Sequence, residues 1–189
     1  ADTTDSRILI EHADIIQIVD LAATQNPIEY EGTFNLPEAQ LDRFTIKLSL
    51  GYPSPEAEMY MLKAQKQSHP VESLKSVCTA EQLSMALETV RSVQVSEAAV
   101  RYIVDVVAST RQTKKLKLGA SPRASQSLYR MSQAWAIFNK RDYVIPDDVQ
   151  YLAPYILSHR MISKQGNNIL EVLNEILADV PVVQNKLKR

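Results

Sequence analysis

Hydrophobic and polar positions change their period along this chain, and the change divides it. In the first third, "DIIQIVDLAAT" at 14–24 is a short apolar run suited to a buried strand. "FTIKLSL" at 44–50 sets Phe44, Ile46, Leu48 and Leu50 against Thr45, Lys47 and Ser49, the two-residue alternation of a strand. Between them Asn35 and Glu38 have capping-box spacing, which predicts a short helix over 36–43. "GYPSP" at 51–55 then breaks the pattern with two prolines and reads as a hinge or domain boundary.

Beyond residue 53 the spacing is helical. Ser54 and Pro55 read as N-cap and first helical residue, and Thr79 with Gln82 as a second capping box. In "SEAAVRYIVDVVASTR" the polar residues Glu97, Arg101, Asp105 and Ser109 form a narrow stripe, which predicts a central helix apolar on its other faces. After Pro122, Ala124, Leu128, Met131, Trp135 and Phe138 are expected to share one buried face. "PDDVQYL" at 146–152 and "NNILEVLNEILADV" at 167–180 predict two further helices, and Pro154 is expected to break or restart the first. The fold class that follows is a mixed α/β fragment followed by a mainly α-helical bundle, predominantly α overall. The few strands cannot close a sheet alone, and the chain begins "ADTTDSR" without Met, so it is expected to be part of a longer protein.

Composition narrows the function. The chain has 189 residues, 45% of them hydrophobic and 23% charged, enough to build a core. Its formal charge of −1 argues against a general nucleic-acid or membrane surface. "RQTKKLKL" at 111–118 is the basic exception, readable as a solvated face or as phosphate contacts through Lys114, Lys115 and Lys117. Cys78 stands alone, which excludes an internal disulfide and reads as a structural thiol in a reducing compartment. His12, His69 and His159 are too scattered for a metal site, and no apolar run approaches a membrane span. A cytoplasmic protein without membrane insertion is expected.

Three residues stand out as candidates. Asn26 follows an expected buried strand and precedes Pro27; it is either a turn asparagine or a group meeting a ligand at a strand's carboxyl end. Arg43 follows Asp42 at the end of a short helix, and reads either as a salt-bridged or capping arginine or as an arginine finger, a cation presented to another subunit's phosphate. Arg123 lies in the first turn of a helix capped by Ser121, where backbone N–H groups already make the field positive. A cation there is unfavourable without an anion, so Arg123 reads either as an exposed arginine or one paired with a carboxylate elsewhere, or as a phosphate contact. None of the four glycines opens a GxxxxGK[ST] loop, and no Asp-Glu pair ends an apolar strand, so this chain is expected not to hydrolyse a nucleotide unaided.

Taken together, "ATQNPIEYEGTFNLPEAQLDRF", "GYPSPEAE", "GASPRAS" and "RDYVIPDDVQYLAPYILSHR" resemble the MoxR family of AAA+ ATPases over about residues 20–162. The resemblance implies that residues 1–52 are the C-terminal part of a P-loop AAA+ core and 53–189 the helical lid. It makes Asn26 sensor 1, Arg43 the arginine finger acting in trans, and Arg123 sensor 2, reaching the nucleotide of its own subunit. It implies ATP and Mg²⁺ as cofactors of the full-length protein, with neither bound tightly here and no metal site. It further implies self-assembly into a ring, hexameric in this family, which remodels protein clients, von Willebrand A-domain proteins among them, and not nucleic acid. Two alternatives remain at this stage: a non-catalytic helical interaction module, and a magnesium-chelatase-like AAA+ subunit.

Overall fold

The structure, a computed structural model, describes residues 23–24, 36–64, 74–164 and 166–182. The expected strand at 14–24 and Asn26 lie outside the described residues, apart from 23–24. The described chain divides into two compact units, one of 48–89 and one in which 36–47 joins the residues from 90 onward.

The smaller unit carries α2 (Pro55–Ala64) and most of α3 (Ala80–Ser92). Both begin where their capping chemistry places them. The Ser54 hydroxyl accepts from Ala57 N at 3.2 Å. Thr79 and Gln82 exchange bonds, Gln82 Oε1 accepting from Thr79 N at 2.9 Å and Thr79 Oγ1 from Gln82 N at 3.2 Å. Gly51 takes φ +65°, the left-handed conformation that suits glycine at the expected break. Cys78 is exposed, which corrects the expectation of a structural thiol.

The larger unit holds α1 (Glu38–Leu41), α4 (Glu97–Gln112), α5 (Pro122–Phe138), α6 (Pro146–Leu157) and α7 (Ile169–Asp179). α5 packs on α6 and α4, and α7 closes against α4 and α6. The α4 face bearing Tyr102, Ile103, Val106 and Val107 is fully buried, because the polar stripe at four-residue intervals leaves that face apolar. Val100 and Val104 are nonetheless exposed, so the solvent face is wider than the stripe.

Three expectations need correction. Residues 44–50 form no strand: the Phe44 carbonyl and Lys47 N–H are taken by side chains and backbone of 155–160, so alternation alone found no ladder partner. α1 begins at Glu38 after Pro37, with no side-chain cap, and is shorter than 36–43. Pro154 sits inside an unbroken α6, where burial of Leu152, Ala153, Ile156 and Leu157 outweighs one missing N–H. On α5, Ala124 and Leu128 are buried as expected, while Phe138 is exposed and stacks on Trp135 with centroids 6.2 Å apart.

Two features escaped the sequence patterns. β1 (Leu116–Leu118) pairs antiparallel with β2 (Ile162–Ser163), strands too short to show a period. At the end of α5, Lys140 takes φ 57°, Lys140 N donates to Ile137 O and Arg141 N to Ala136 O, a Schellman closure. It turns Arg141 back onto α6, where its guanidinium grips the buried Asp148 carboxylate at 3.0 and 2.5 Å.

Gly119 supplies the tight approach between β1 and α4. A Cβ there would lie 2.5 Å from Thr110 O and 2.7 Å from the Arg111 backbone. Thr110, fully buried, also accepts from Ala120 N through its hydroxyl at 2.9 Å. Gly119→Ala is expected to destabilise the chain by about 1–3 kcal/mol, because backbone must move to admit the methyl. Urea unfolding checks this, and an unchanged midpoint contradicts it.

Candidate functional site

The site begins at the α5 N-terminus. Ser121 caps the helix, its Oγ accepting from Arg123 N at 3.2 Å, and Pro122 holds the first helical position. The Ser121 hydroxyl donates in turn to the Asp42 carboxylate, at 2.9 Å from either oxygen. An anion therefore does share this helix head with Arg123. Asp42 lies 4.0 Å from Arg123 Nη1, and the Arg123 side chain is 58% exposed. An ion pair that long and that open contributes at most about 1 kcal/mol.

Asp42 is held more firmly from the other side. Arg160 ends a 3₁₀ turn (Ser158–Arg160) after α6, and its side chain is 1% exposed. Its Nη1 donates to Asp42 Oδ1 at 3.3 Å, and its Nη2 donates to Phe44 O at 2.6 Å and to Ser127 Oγ at 2.9 Å. Its Nε is buried without a partner among the described residues. Burial pulls this guanidinium below its ordinary pKa and Asp42 opposes the shift, while nearby Arg123 adds to the lowering. It stays cationic, because arginine starts far above neutrality.

His159 joins the same carbonyl, with Nε2 3.0 Å from Phe44 O. Facing a carbonyl, Nε2 carries the proton of a neutral ring. Burial is the main cause of its lowered pKa; the Phe44 bond opposes it, and Arg160 and Lys47 reinforce it. The unfolded chain thus takes up this proton first as pH falls. His159 contributes stability that is full above the ordinary value of 6.5 and is lost below it. Unfolding free energy is expected to fall between about pH 7 and pH 5, and His159→Asn is expected to flatten that dependence. An equal slope in the variant contradicts the assignment.

Arg43 is exposed, and among the described residues its guanidinium has no ion-pair or hydrogen-bond partner. Asp42 engages Ser121, Arg160 and Arg123 instead, so the adjacent Asp42–Arg43 salt bridge does not form. Asp42, Arg43, Arg123, Gln126, Ser127 and Arg160 line an open hollow of about 270 Å³. Three guanidiniums against one carboxylate leave an excess of two positive charges at a helix N-terminus, a fit for a multiply charged oxyanion. Asn26 lies outside the described residues, so the hollow brings together two of the three candidates. Arg160 and His159 were missed, since "LSHR" at the end of an apolar helix signals nothing about a carbonyl more than a hundred positions away.

Two family models match this chain: ATPases associated with various cellular activities (AAA) over residues 7–46, and the AAA lid domain over 108–179. The hollow takes Asp42 and Arg43 from the first match and its other four residues from the second. The end of an AAA core followed by its helical lid is thus the class of protein. A crystal structure of a candidate ATPase from Cytophaga hutchinsonii superposes with a TM-score of 0.75 at 32% identity, over 86% of this chain and 53% of that one. The uncharacterized protein YeaC of Bacillus subtilis is 46% identical over 165 residues, 85% of this chain and 52% of YeaC. Chaperone MoxR1 of Mycobacterium tuberculosis is 40% identical over 149 residues, 74% of this chain and 39% of MoxR1. The chain belongs to the MoxR family of AAA+ ATPases and covers the C-terminal portion of such a protein. It spans about half or less of the length of these relatives.

Proposed function

We propose that this chain is the phosphate-sensing portion of a MoxR-type ATPase, and that the hollow beside the α5 N-terminus receives the phosphates of ATP. The observation that carries the reading is the excess of guanidinium charge where the core match meets the lid match. Arg123 can leave Asp42 for a phosphate at little cost, because its present pair is long and solvated. Arg43 has no partner among the described residues to leave.

Arg43 and Arg123 line one hollow, which favours their serving one nucleotide. Since an arginine finger completes a neighbour's site, Arg123 is assigned to that same neighbouring site, in place of the expectation that it serves its own subunit. Asn26 is proposed as sensor 1, orienting the attacking water. Bound ATP supplies the γ-phosphoryl group, and the two arginines meet the charge that spreads over its oxygens during transfer. Among the described residues no group of three or more metal-ligating side chains occurs, so Mg²⁺ and the P-loop are assigned to parts of the core outside them.

Hydrolysis is proposed to move lid against core within a hexameric ring and to remodel protein clients, von Willebrand A-domain proteins among them. The printed name of the mycobacterial relative, a chaperone, supports that direction. Lys115 of the basic stretch is paired with Glu175, which favours the solvated-face reading over nucleic acid. No helix among the described residues is long and apolar enough to cross a membrane, and a cytoplasmic site of action is proposed. The test is ATP turnover by the full-length protein. Hydrolysis that rises with protein concentration as rings assemble is expected, and absence of hydrolysis at any concentration contradicts the reading.

A further inference from the structure

Asp42 stands between two guanidiniums that differ in almost every respect. Arg160 is buried and fixed by Phe44 O and Ser127 Oγ as well as by Asp42. Arg123 is more than half exposed and touches Asp42 only at 4.0 Å. The negative charge of this carboxylate is balanced by a buried arginine and its oxygens are oriented by the Ser121 hydroxyl, so its pull on a third partner is weakened. Were Arg160 absent, the same carboxylate would be free to turn to Arg123 and form a close pair with it. Phe44 immediately follows Arg43, so the Arg160 bond to its carbonyl also fixes the backbone that presents Arg43 to the hollow.

We propose that Arg160 is a positioning residue for the phosphate site: it occupies Asp42, leaving Arg123 available to an incoming phosphate, and anchors the Phe44 backbone beside Arg43. Arg160 need not touch the phosphate. Its three bonded partners come from the 42–44 segment and from α5, so it ties the carrier of one sensing arginine to the carrier of the other. This rests on the reading of the hollow as a phosphate site.

The test uses the full-length protein, with steady-state ATP hydrolysis and thermal unfolding measured on each variant. Arg160→Gln is expected to lower kcat/KM for ATP about tenfold or more, the scale of one charge-assisted hydrogen bond lost in competition. Asp42→Asn in the same chain removes the competing carboxylate and is expected to recover at least part of that loss. A residue that only supported the fold would give no such recovery, because the double variant loses more bonds than the single one. Arg160→Lys keeps a cation beside Asp42 and is expected to retain more activity than Arg160→Gln at equal thermal stability.

If Arg160→Gln fails to fold, Arg160→Lys carries the test: an ammonium cannot make all three bonds of the guanidinium to Asp42, Phe44 O and Ser127 Oγ, so inorganic pyrophosphate is expected to bind several-fold more weakly than to the parent by calorimetry. Pyrophosphate binding as tight in a folded Arg160→Lys protein as in the parent overturns the inference. So does a folded double variant no more active than Arg160→Gln. If instead Arg43→Ala and Arg123→Ala leave hydrolysis unchanged, it is the phosphate-site reading that fails.

Discussion

Arg43→Ala in the full-length protein is expected to lower ATP turnover about 10³-fold or more, with nucleotide affinity changed far less. A guanidinium presented to a neighbour's γ-phosphoryl group acts mainly on charge that develops during transfer, which places the loss in kcat. Arg123→Ala is expected to cost about 10²-fold to 10³-fold, the range for removing one preorganised donor from developing oxyanion charge. The structural cost of either change is small. Arg43 is exposed and unpaired among the described residues, and the Arg123 pair with Asp42 is long. Thermal unfolding of both variants is therefore expected to match the parent within a few degrees. Turnover near that of the parent in both variants contradicts the assignment. A large drop in melting temperature would instead show that the arginines support the lid.

Asp148→Ala is expected to be among the most damaging single changes to the lid itself, costing about 3 kcal/mol or more. Asp148 is 3% exposed, and its carboxylate accepts two bonds from Arg141 and one, at 2.9 Å, from Ile145 N. Truncation leaves a half-buried guanidinium without its counter-charge and an α6 N-terminal N–H without its cap. The Arg141 pKa, raised chiefly by its hydrogen bonds to Asp148, reflects the same coupling. Urea unfolding of this chain measures the loss as a lowered midpoint with an unchanged slope. A midpoint within experimental scatter of the parent contradicts it.

The helical part was legible because its signals are local. Ser54, Thr79, Ser96 and Ser121 cap the helices they introduce, and the Asn168 side chain accepts from Leu170 N at 2.9 Å to open α7. The polar stripe of α4 located its buried face for the same reason. What failed was set by distant partners. Residues 44–50 alternate like a strand, yet their backbone is claimed by Tyr155, His159 and Arg160. Pro154 reads as a breaker, yet α6 continues on the strength of its burial.

The site was legible in part for a related reason. Arg123 announced itself by violating helix electrostatics, and the anion that resolves the conflict, Asp42, lies 79 positions before the capping Ser121 along the chain. Arg160 broke no local rule, so only the folded structure reveals that its buried guanidinium holds the segment carrying Arg43.

The central claim is that Arg43 and Arg123 of one subunit serve a single nucleotide held by its neighbour. Mixing two inactive full-length variants tests it most directly: Arg123→Ala, and a variant lacking the P-loop lysine. In mixed rings the intact P-loop of the first faces the intact arginines of the second. Recovery of ATP turnover on mixing is expected. If the mixture stays as inactive as its parts while mixed rings form, Arg123 acts within its own subunit and the shared hollow is not one phosphate site.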